Sequence, residues 1–397
     1  MNSSIITVFV LFLPFSLFGN WLSFRGDNGN GMIKEDLSPD IGLESKSSWE
    51  VKLPGRGLSS PIVVEDLVFL TASSGPKQET LHIIAFEIKS GKKAWERKFK
   101  ATGRTVCHEK TCVAAPTMVS DGRVVVAQFS SNDVFCLDLK GNLMWLRGLT
   151  YDYPNAANGL GMSSSPVIAK GVLIAQVEND AESFTAGLNL ENGTTLWKKD
   201  RPRGANWTSP TVLGKGKKQQ VALQSMKGVA VIDPATGKDQ WLYEDGAATI
   251  PSSTVQGSTI LVPSNGLTAL QARGDGKSHT QLWRDNKLGP GTGSPTISGD
   301  KLYVINKANV LTCAEIKSGK IIWRTRLKGP MSGSPVSTKD HLFVFNEEGL
   351  GQVVQLGGEE GKAIRSIELD ETILCTPAVS AGALYLRSDS TLWKLSD

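Results

Sequence analysis

A unit of roughly 40 to 50 residues recurs along this chain, and a recurrence of that length constrains the fold more than any single motif. One copy is Ala85-Phe86-Glu87-Ile88-Lys89-Ser90-Gly91-Lys92-Lys93-Ala94-Trp95. It returns as 231–241, ending in Trp241, and as 313–323, ending in Trp323. Looser copies end at Trp145, Trp197 and Trp283. Trp49 occupies the same kind of slot, and Arg365 stands where an eighth tryptophan is expected. A second marker interleaves with the first. A small residue before proline opens an apolar run at Ser60-Pro61, Ala115-Pro116, Ser165-Pro166, Ser209-Pro210, Ser294-Pro295, Ser334-Pro335 and Thr376-Pro377. Pro251 before Ser252-Ser253 is a degenerate eighth case. The two markers alternate strictly, so they count the same units independently.

Each unit reads as four short strands. After Pro116 come 117–120, the turn Asp121-Gly122, the valine-rich 123–129, the strand 133–139, the turn Gly141-Asn142 and the strand 143–148. Turn residues punctuate β-rich runs in this way throughout. Proline is tolerated because it stands at the first residue of a strand. Four antiparallel strands per unit, repeated radially, predict an all-β, eight-bladed β-propeller. After Pro377 only three strands remain: 378–380, 383–387 and 391–395. The missing outer strand is 48–53, so the N-terminal strand is expected to close the last blade and remove an open sheet edge. The tryptophans at 49, 95, 145, 197, 241, 283 and 323 are then docking residues between blades, not ligand contacts.

Composition narrows the function classes. Lys plus Arg total 43 against 39 for Asp plus Glu, a net +4, too mild for a nucleic-acid partner, which asks for a clustered basic face. Residues 5–18 are apolar apart from Thr7 and Ser16, too short for a comfortable span and suited to the core of a secretory signal. The expected organisation is a signal at 1–19, an N-terminal extension at 20–48 and the propeller at 49–397. An uncleaved anchor is the alternative at the N-terminus. The expected location is the periplasm or cell surface, with no transmembrane domain after cleavage, and a monomer is expected.

The close matches ending at Trp95, Trp241 and Trp323 resemble the pyrrolo-quinoline quinone (PQQ) repeat, Ala-x-Asp-x-x-Thr-Gly-x-x-x-Trp, of the quinoprotein alcohol dehydrogenase-like superfamily. The resemblance covers essentially 49–397. Residues Trp21-Leu22-Ser23-Phe24-Arg25-Gly26 look like the Trp-x-x-Phe-Arg-Gly segment that precedes such propellers in many exported bacterial proteins. The resemblance implies one of two functions. Dehydrogenases of the group hold PQQ and calcium on the propeller axis, with a carboxylate as base. A noncatalytic branch, which includes the propeller lipoprotein of the outer-membrane barrel-assembly machinery, scaffolds protein contacts. The chain departs from the first in lacking adjacent cysteines and large insertions, and from the second in lacking a lipid-bearing cysteine near residue 19. The expectation is therefore a noncatalytic scaffold without cofactor, binding an unidentified protein or saccharide of the cell envelope. A PQQ- and calcium-dependent dehydrogenase is the alternative, and a glycan-binding module the third reading.

The candidate binding face follows from link lengths. Trp49 to Pro61 spans 12 positions, whereas Trp95 to Pro116 and Trp145 to Pro166 each span 21. Links between blades share one face with the links between second and third strands, and rigidly held loops concentrate binding residues. The candidates there are His108, Tyr151, Tyr153, Asn155, Asp180, Arg203 and Trp207. Under the dehydrogenase alternative Glu178, Asn179 and Asp180 are the calcium-ligand or base candidates. Cys107 and Cys112 suit a small loop disulfide in an oxidising compartment, with two free thiols as the alternative. Their order with His108 does not match haem attachment. Cys136, Cys313 and Cys375 fall in slots for small core residues. Asp27 to Gly31 reads as a turn, and 215–218 as a solvated turn on the opposite face.

Overall fold

The computed structural model of the chain describes residues 19–156 and 159–397. The signal segment, apart from Gly19, lies outside the described residues. Eight four-stranded antiparallel sheets each contain strands in simple sequence order, and the eighth joins Trp49–Lys52 to Thr391–Leu395. The blades span 62–100, 119–148, 167–200, 211–243, 254–285, 296–326, 336–368 and, with Trp49–Lys52, 378–395. The chain is an eight-bladed β-propeller. Strands 378–380, 383–387 and 391–395 fall where the sequence placed them. No helix among the described residues is long and apolar enough to cross a membrane.

The tryptophan slot has a geometric cause. In the outer hairpin of each of the first seven blades, one residue stands opposite the slot: Ala85 opposite Trp95, Cys136 opposite Trp145, Cys313 opposite Trp323, and likewise to Val353 opposite Arg365. The register shifts immediately after each of these residues, a β-bulge repeated in seven blades. A bulge bends its strand and re-aims a side chain. Here the indole lands on the next blade. Trp95 Nε1 donates to Leu139 O at 2.9 Å, and Trp145 Nε1 to Leu190 O at 2.8 Å. A Cβ on Gly141 would lie 2.7 Å from the Trp95 ring, and the φ of that glycine is +81°. Only glycine both adopts that conformation cheaply and leaves room for the ring. The repeated Gly and Trp are thus two halves of one joint between blades. Cys136 and Cys313 are buried, as their slot requires.

The N-terminal extension runs beneath the inner strands. Trp21 pairs with Val63 of blade 1, and the Leu22 carbonyl accepts from Ser120 N of blade 2 at 2.8 Å. Asn30 reaches Val255 of blade 5 and accepts from Thr296 of blade 6. Ile33 N donates to Ser337 O of blade 7 at 2.7 Å, and Gly42 pairs with Ser396 after blade 8. Asp27 to Gly31 is a turn inside this path. Residues 215–218 lie in the link between the first two strands of blade 4, exposed and away from the long insertions, as expected.

Candidate functional site

The small residues before proline form a belt around the axis. Ser60 N donates to Thr117 Oγ1 at 2.9 Å, Thr117 N to Ser165 Oγ at 3.0 Å, and Ser165 N to Ser209 Oγ at 2.9 Å. The same step continues through Ser252, Ser294, Ser334 and Thr376, each at 2.9 Å. In seven of the eight blades the amide at this position is thereby satisfied by the next blade's hydroxyl, at a net gain of about 0.5–1.5 kcal/mol per bond. Ala115 has no hydroxyl, and Thr117 supplies it two residues later. Ser252 shows that the degenerate unit at Pro251 keeps its place in the belt.

Above the belt lies an axial cavity of about 440 Å³. Belt residues line it, with Trp207, Ile250, Leu58 and Leu374 as apolar wall and His108, Lys110 and Glu347 among the remaining lining residues. Phe24 of the extension also lines it, and a smaller cavity of about 150 Å³ lies against 22–25 and 27–29. The extension therefore occupies one end of the axis. The other end faces the two insertions. Lys110 Nζ lies 3.0 Å from Glu347 Oε2, joining the first insertion to blade 7. His108 N donates to Leu160 O at 2.8 Å, and Trp207 Nε1 to Gly161 O at 3.0 Å, so both insertions and the next link form one rim. Burial raises the Glu347 pKa, but hydrogen bonds from Ser332 and Lys110 outweigh it and hold the carboxyl below its ordinary value.

The expected binding residues divide into two groups. His108 and Trp207 line the cavity. Tyr151 stands 85% exposed on the short helix Leu149–Asp152 at the rim. Asn155, Asp180 and Arg203 are exposed on the same face, with no side-chain contact that converges on the cavity. Tyr153 is a structural residue instead. Its ring packs 4.7 Å from that of Phe184, with Lys198 Nζ 5.0 Å above it, joining blades 2 and 3.

Glu178 and Asn179 are corrections to the sequence reading. The side chain of Glu178 is 1% exposed and lies 2.6 Å from Arg201 Nε, while Asn206 Nδ2 donates to its other oxygen at 2.8 Å. Burial pushes its pKa up, against the pull of Arg201 and Asn206. Asn179 is spent on the turn it caps, accepting from Ala181 N and donating to Glu182 O. Neither is free to meet a ligand. The loop disulfide is a further correction, because Cys107 and Cys112 stand as separate thiols. Cys112 is fully buried in an apolar cluster, where desolvation pushes its thiol up to about 12. The Cys107 thiol faces Thr105 O and Ser130 Oγ.

Phe24, Lys110, Ile250, Glu347 and the belt hydroxyls were missed by sequence reasoning. Phe24 was visible only as part of an opening motif, and the belt only as a strand-start marker. Glu347 is the one acid among the described cavity-lining residues, and it is already held by Lys110 and Ser332. No three His, Cys, Asp or Glu side chains converge as a metal needs among the described residues. This donor set does not fit a quinone–calcium centre with a free carboxylate base.

The family described as "Outer membrane protein assembly factor BamB" matches residues 44–160, 154–273 and 263–350. The chain belongs to that family. Solved structures share this family's propeller at low identity. BamB from Moraxella catarrhalis superposes with a TM-score of 0.65 at 16% identity, covering 88% of this chain and 96% of that one. A europium-containing methanol dehydrogenase gives 0.72 at 11%, covering 96% and 98%. Quinohemoprotein alcohol dehydrogenase from Comamonas testosteroni gives 0.71 at 12%, covering 95% and 80%. At such identities these likenesses speak for fold alone. No curated protein sequence matches the chain.

Proposed function

We propose that this chain is an exported, noncatalytic binding propeller of the cell envelope, whose partner engages the face bearing the two long insertions. The observation that carries this is the rim of that face. Tyr151, Val106, Met226 and Ile250 are all exposed there, around a cavity whose one acid is already paired. Exposed apolar and aromatic side chains around a rigid concave centre suit a protein contact, where a few buried anchors carry most of the energy. Membership of the BamB-described family supports a scaffold role in the envelope.

A photoreactive residue placed at Tyr151 or Met226 in cells tests the face. Both positions are expected to crosslink the same envelope component, and Lys217 on the opposite face to give none. Equal crosslinking from Lys217 would remove the assignment. Tyr151→Ala is expected to weaken binding of that component with an unchanged melting temperature, because the side chain is almost wholly exposed. The catalytic alternative is tested by adding PQQ with calcium. A ligand at about 100 times its dissociation constant adds roughly 2.7 kcal/mol, enough to raise the melting temperature by about a degree or more. No rise is expected, and a clear one would overturn the noncatalytic reading.

A further inference from the structure

Blade 1 carries a line of three side chains that the binding face does not use. Ser74 ends the strand Leu67–Ser74, His82 lies near the start of Thr80–Glu87, and Glu96 stands on the outer strand Lys93–Lys100. The register pairs Ala72 with His82 and His82 with Lys98. Residues two apart on a strand share a face, so Ser74, His82 and Glu96 run diagonally across one face of the sheet. Ala72 and Ile84 of that face pack in the cluster shared with blade 8. Ser74 Oγ stands 2.7 Å from His82 Nε2, and His82 Nδ1 stands 2.8 Å from Glu96 Oε1.

The chemistry of the groups fixes the direction of both bonds. Burial works against ionisation of Glu96, but hydrogen bonds from Lys93 and His82 outweigh it and hold the carboxyl below its ordinary value. A carboxylate only accepts, so His82 Nδ1 carries a hydrogen. The neutral imidazole then presents its Nε2 lone pair to the Ser74 hydroxyl. His82 is buried, whereas Ser74 is half-buried beside the exposed Gly75 and Pro76. A nucleophile, its base and the acid that orients the base stand in line, the relation by which a hydrolytic triad is recognised on any fold. Among the described residues the Gly75 amide donates to no protein acceptor. The amide just after the nucleophile is one of the two oxyanion donors in α/β-hydrolases.

A groove of about 340 Å³ adjoins the same face, lined by Val51, Leu53, Pro54, Ile84, Phe86 and Lys93 among others. Ile84 follows His82 on that face, and Lys93 Nζ lies 2.7 Å from Glu96 Oε2. Gly55, next to Pro54, is so near the nucleophile that a Cβ on it would lie 3.0 Å from Ser74 Cβ. This lining suits an apolar chain. The Glu79 carboxylate stands beside Gly75, where an added Cβ would lie 2.6 Å from Glu79 Oε2, and its charge disfavours an anionic substrate.

We propose that Ser74 is a nucleophile toward uncharged carboxylic esters with a short apolar acyl chain, with His82 as its base and Glu96 as a positioning residue. Ser74 Oγ attacks the carbonyl carbon while its proton passes to His82 Nε2. The bond to the alcohol oxygen breaks, and the alcohol leaves with that proton. Water then attacks the acyl carbon and gives a proton to Nε2. The acid departs as Ser74 Oγ takes that proton back, so ester and water become acid and alcohol. The noncatalytic reading above concerns the axis and its rim, and this site lies on the flank of blade 1, so either can fail without the other.

The test treats the full chain with a fluorophosphonate and, separately, with 4-nitrophenyl butyrate. One fluorophosphonate adduct per chain is expected, mapped by mass spectrometry to Ser74. Butyrate hydrolysis above buffer is expected, and Ser74→Ala should abolish it at an unchanged melting temperature. His82→Gln should slow both reactions about 100-fold or more. Glu96→Gln should slow them and change the pH profile, and Glu96→Asp should restore part of the rate, which a purely structural role would not give. Absence of a Ser74 adduct in the parent chain would overturn the proposal whether or not any variant folds. A rate unmoved by Ser74→Ala would do the same, and an adduct without butyrate turnover would overturn the hydrolytic step.

Discussion

A tryptophan and a glycine some 46 positions apart in sequence, Trp95 and Gly141, carry the contact between blades 1 and 2. The indole hydrogen-bonds Leu139 O and lies against the glycine that opens the next turn. Trp95→Ala removes that bond and most of the contact. A half-buried site puts the cost at about 3 kcal/mol, the low end for such truncations. Gly141→Ala meets both a positive φ and the ring, at about 1–3 kcal/mol. In the Trp95→Ala background the ring is gone and only the backbone strain remains, so the two losses are expected to be less than additive. Midpoints of chemical unfolding for the two single variants and the double variant check this. Full additivity would mean that the two residues do not share a joint. Arg365 shows how the slot survives without an indole: it pairs with Glu44 and lies 3.6 Å from Asp40 of the extension.

Within each blade the sequence pattern was legible because its causes are local. The bulge, the turn glycine and the strand-opening proline recur at fixed offsets, so strand ends such as 378–380 and 391–395 could be read directly. The candidate site was legible only as a face. Glu178 looked available because Arg201 and Asn206, 23 and 28 positions on, give no local sign that they turn inward to it. The link into blade 8 carries a comparable hidden cluster. Glu371 accepts from Ser390 and Thr391, each at 2.7 Å, and from Ser388, and it pairs with Lys52 of the closing strand. Burial opposes ionisation there, but these hydrogen bonds prevail and hold the Glu371 pKa at about 2 against an ordinary 4.5. A carboxyl depressed on folding stabilises fully above its unfolded pKa, and that contribution is lost as pH falls through the folded one. Stability should therefore drop between about pH 4.5 and 2. Glu371→Gln should lower the melting temperature at neutral pH and flatten this limb. A limb as steep in the variant as in the parent would assign the acid sensitivity to other carboxylates.

At the scale of the whole molecule, a ring of blades needs closure, and this chain closes twice. Trp49–Lys52 completes the last sheet, and the extension before it bonds blades 1, 2, 5, 6, 7 and 8 across one end of the axis. Trp21, Ile33, Leu37 and Ile41 share one apolar cluster with blades 1, 7 and 8. The first closure was legible in the sequence, but the second was not, because Arg25 and Ser253 are 228 positions apart and no repeat marks their meeting. Removing 19–48 leaves the strand that closes the sheet in place and takes away only the second closure. The eight sheets should still form, since each keeps its four strands. The transition should shift to lower denaturant and broaden or split, because the inner ends of distant blades are no longer tied together. The denaturant slope should fall with the surface lost from the cooperative unit. Arg25→Ala is the point version: it removes the bonds to Ser253 O, Thr254 Oγ1 and Pro295 O, while the Thr211 and Thr254 hydroxyls keep both carbonyls paired, so the cost is that of the lost bonds, about 1.5–3 kcal/mol each for a charged donor. Unfolding followed by far-ultraviolet circular dichroism and by tryptophan fluorescence separates the outcomes. Coincident curves with an unchanged midpoint and slope in the truncated chain would make the extension a passenger. Curves that separate would make it the tie that turns eight blades into one folding unit.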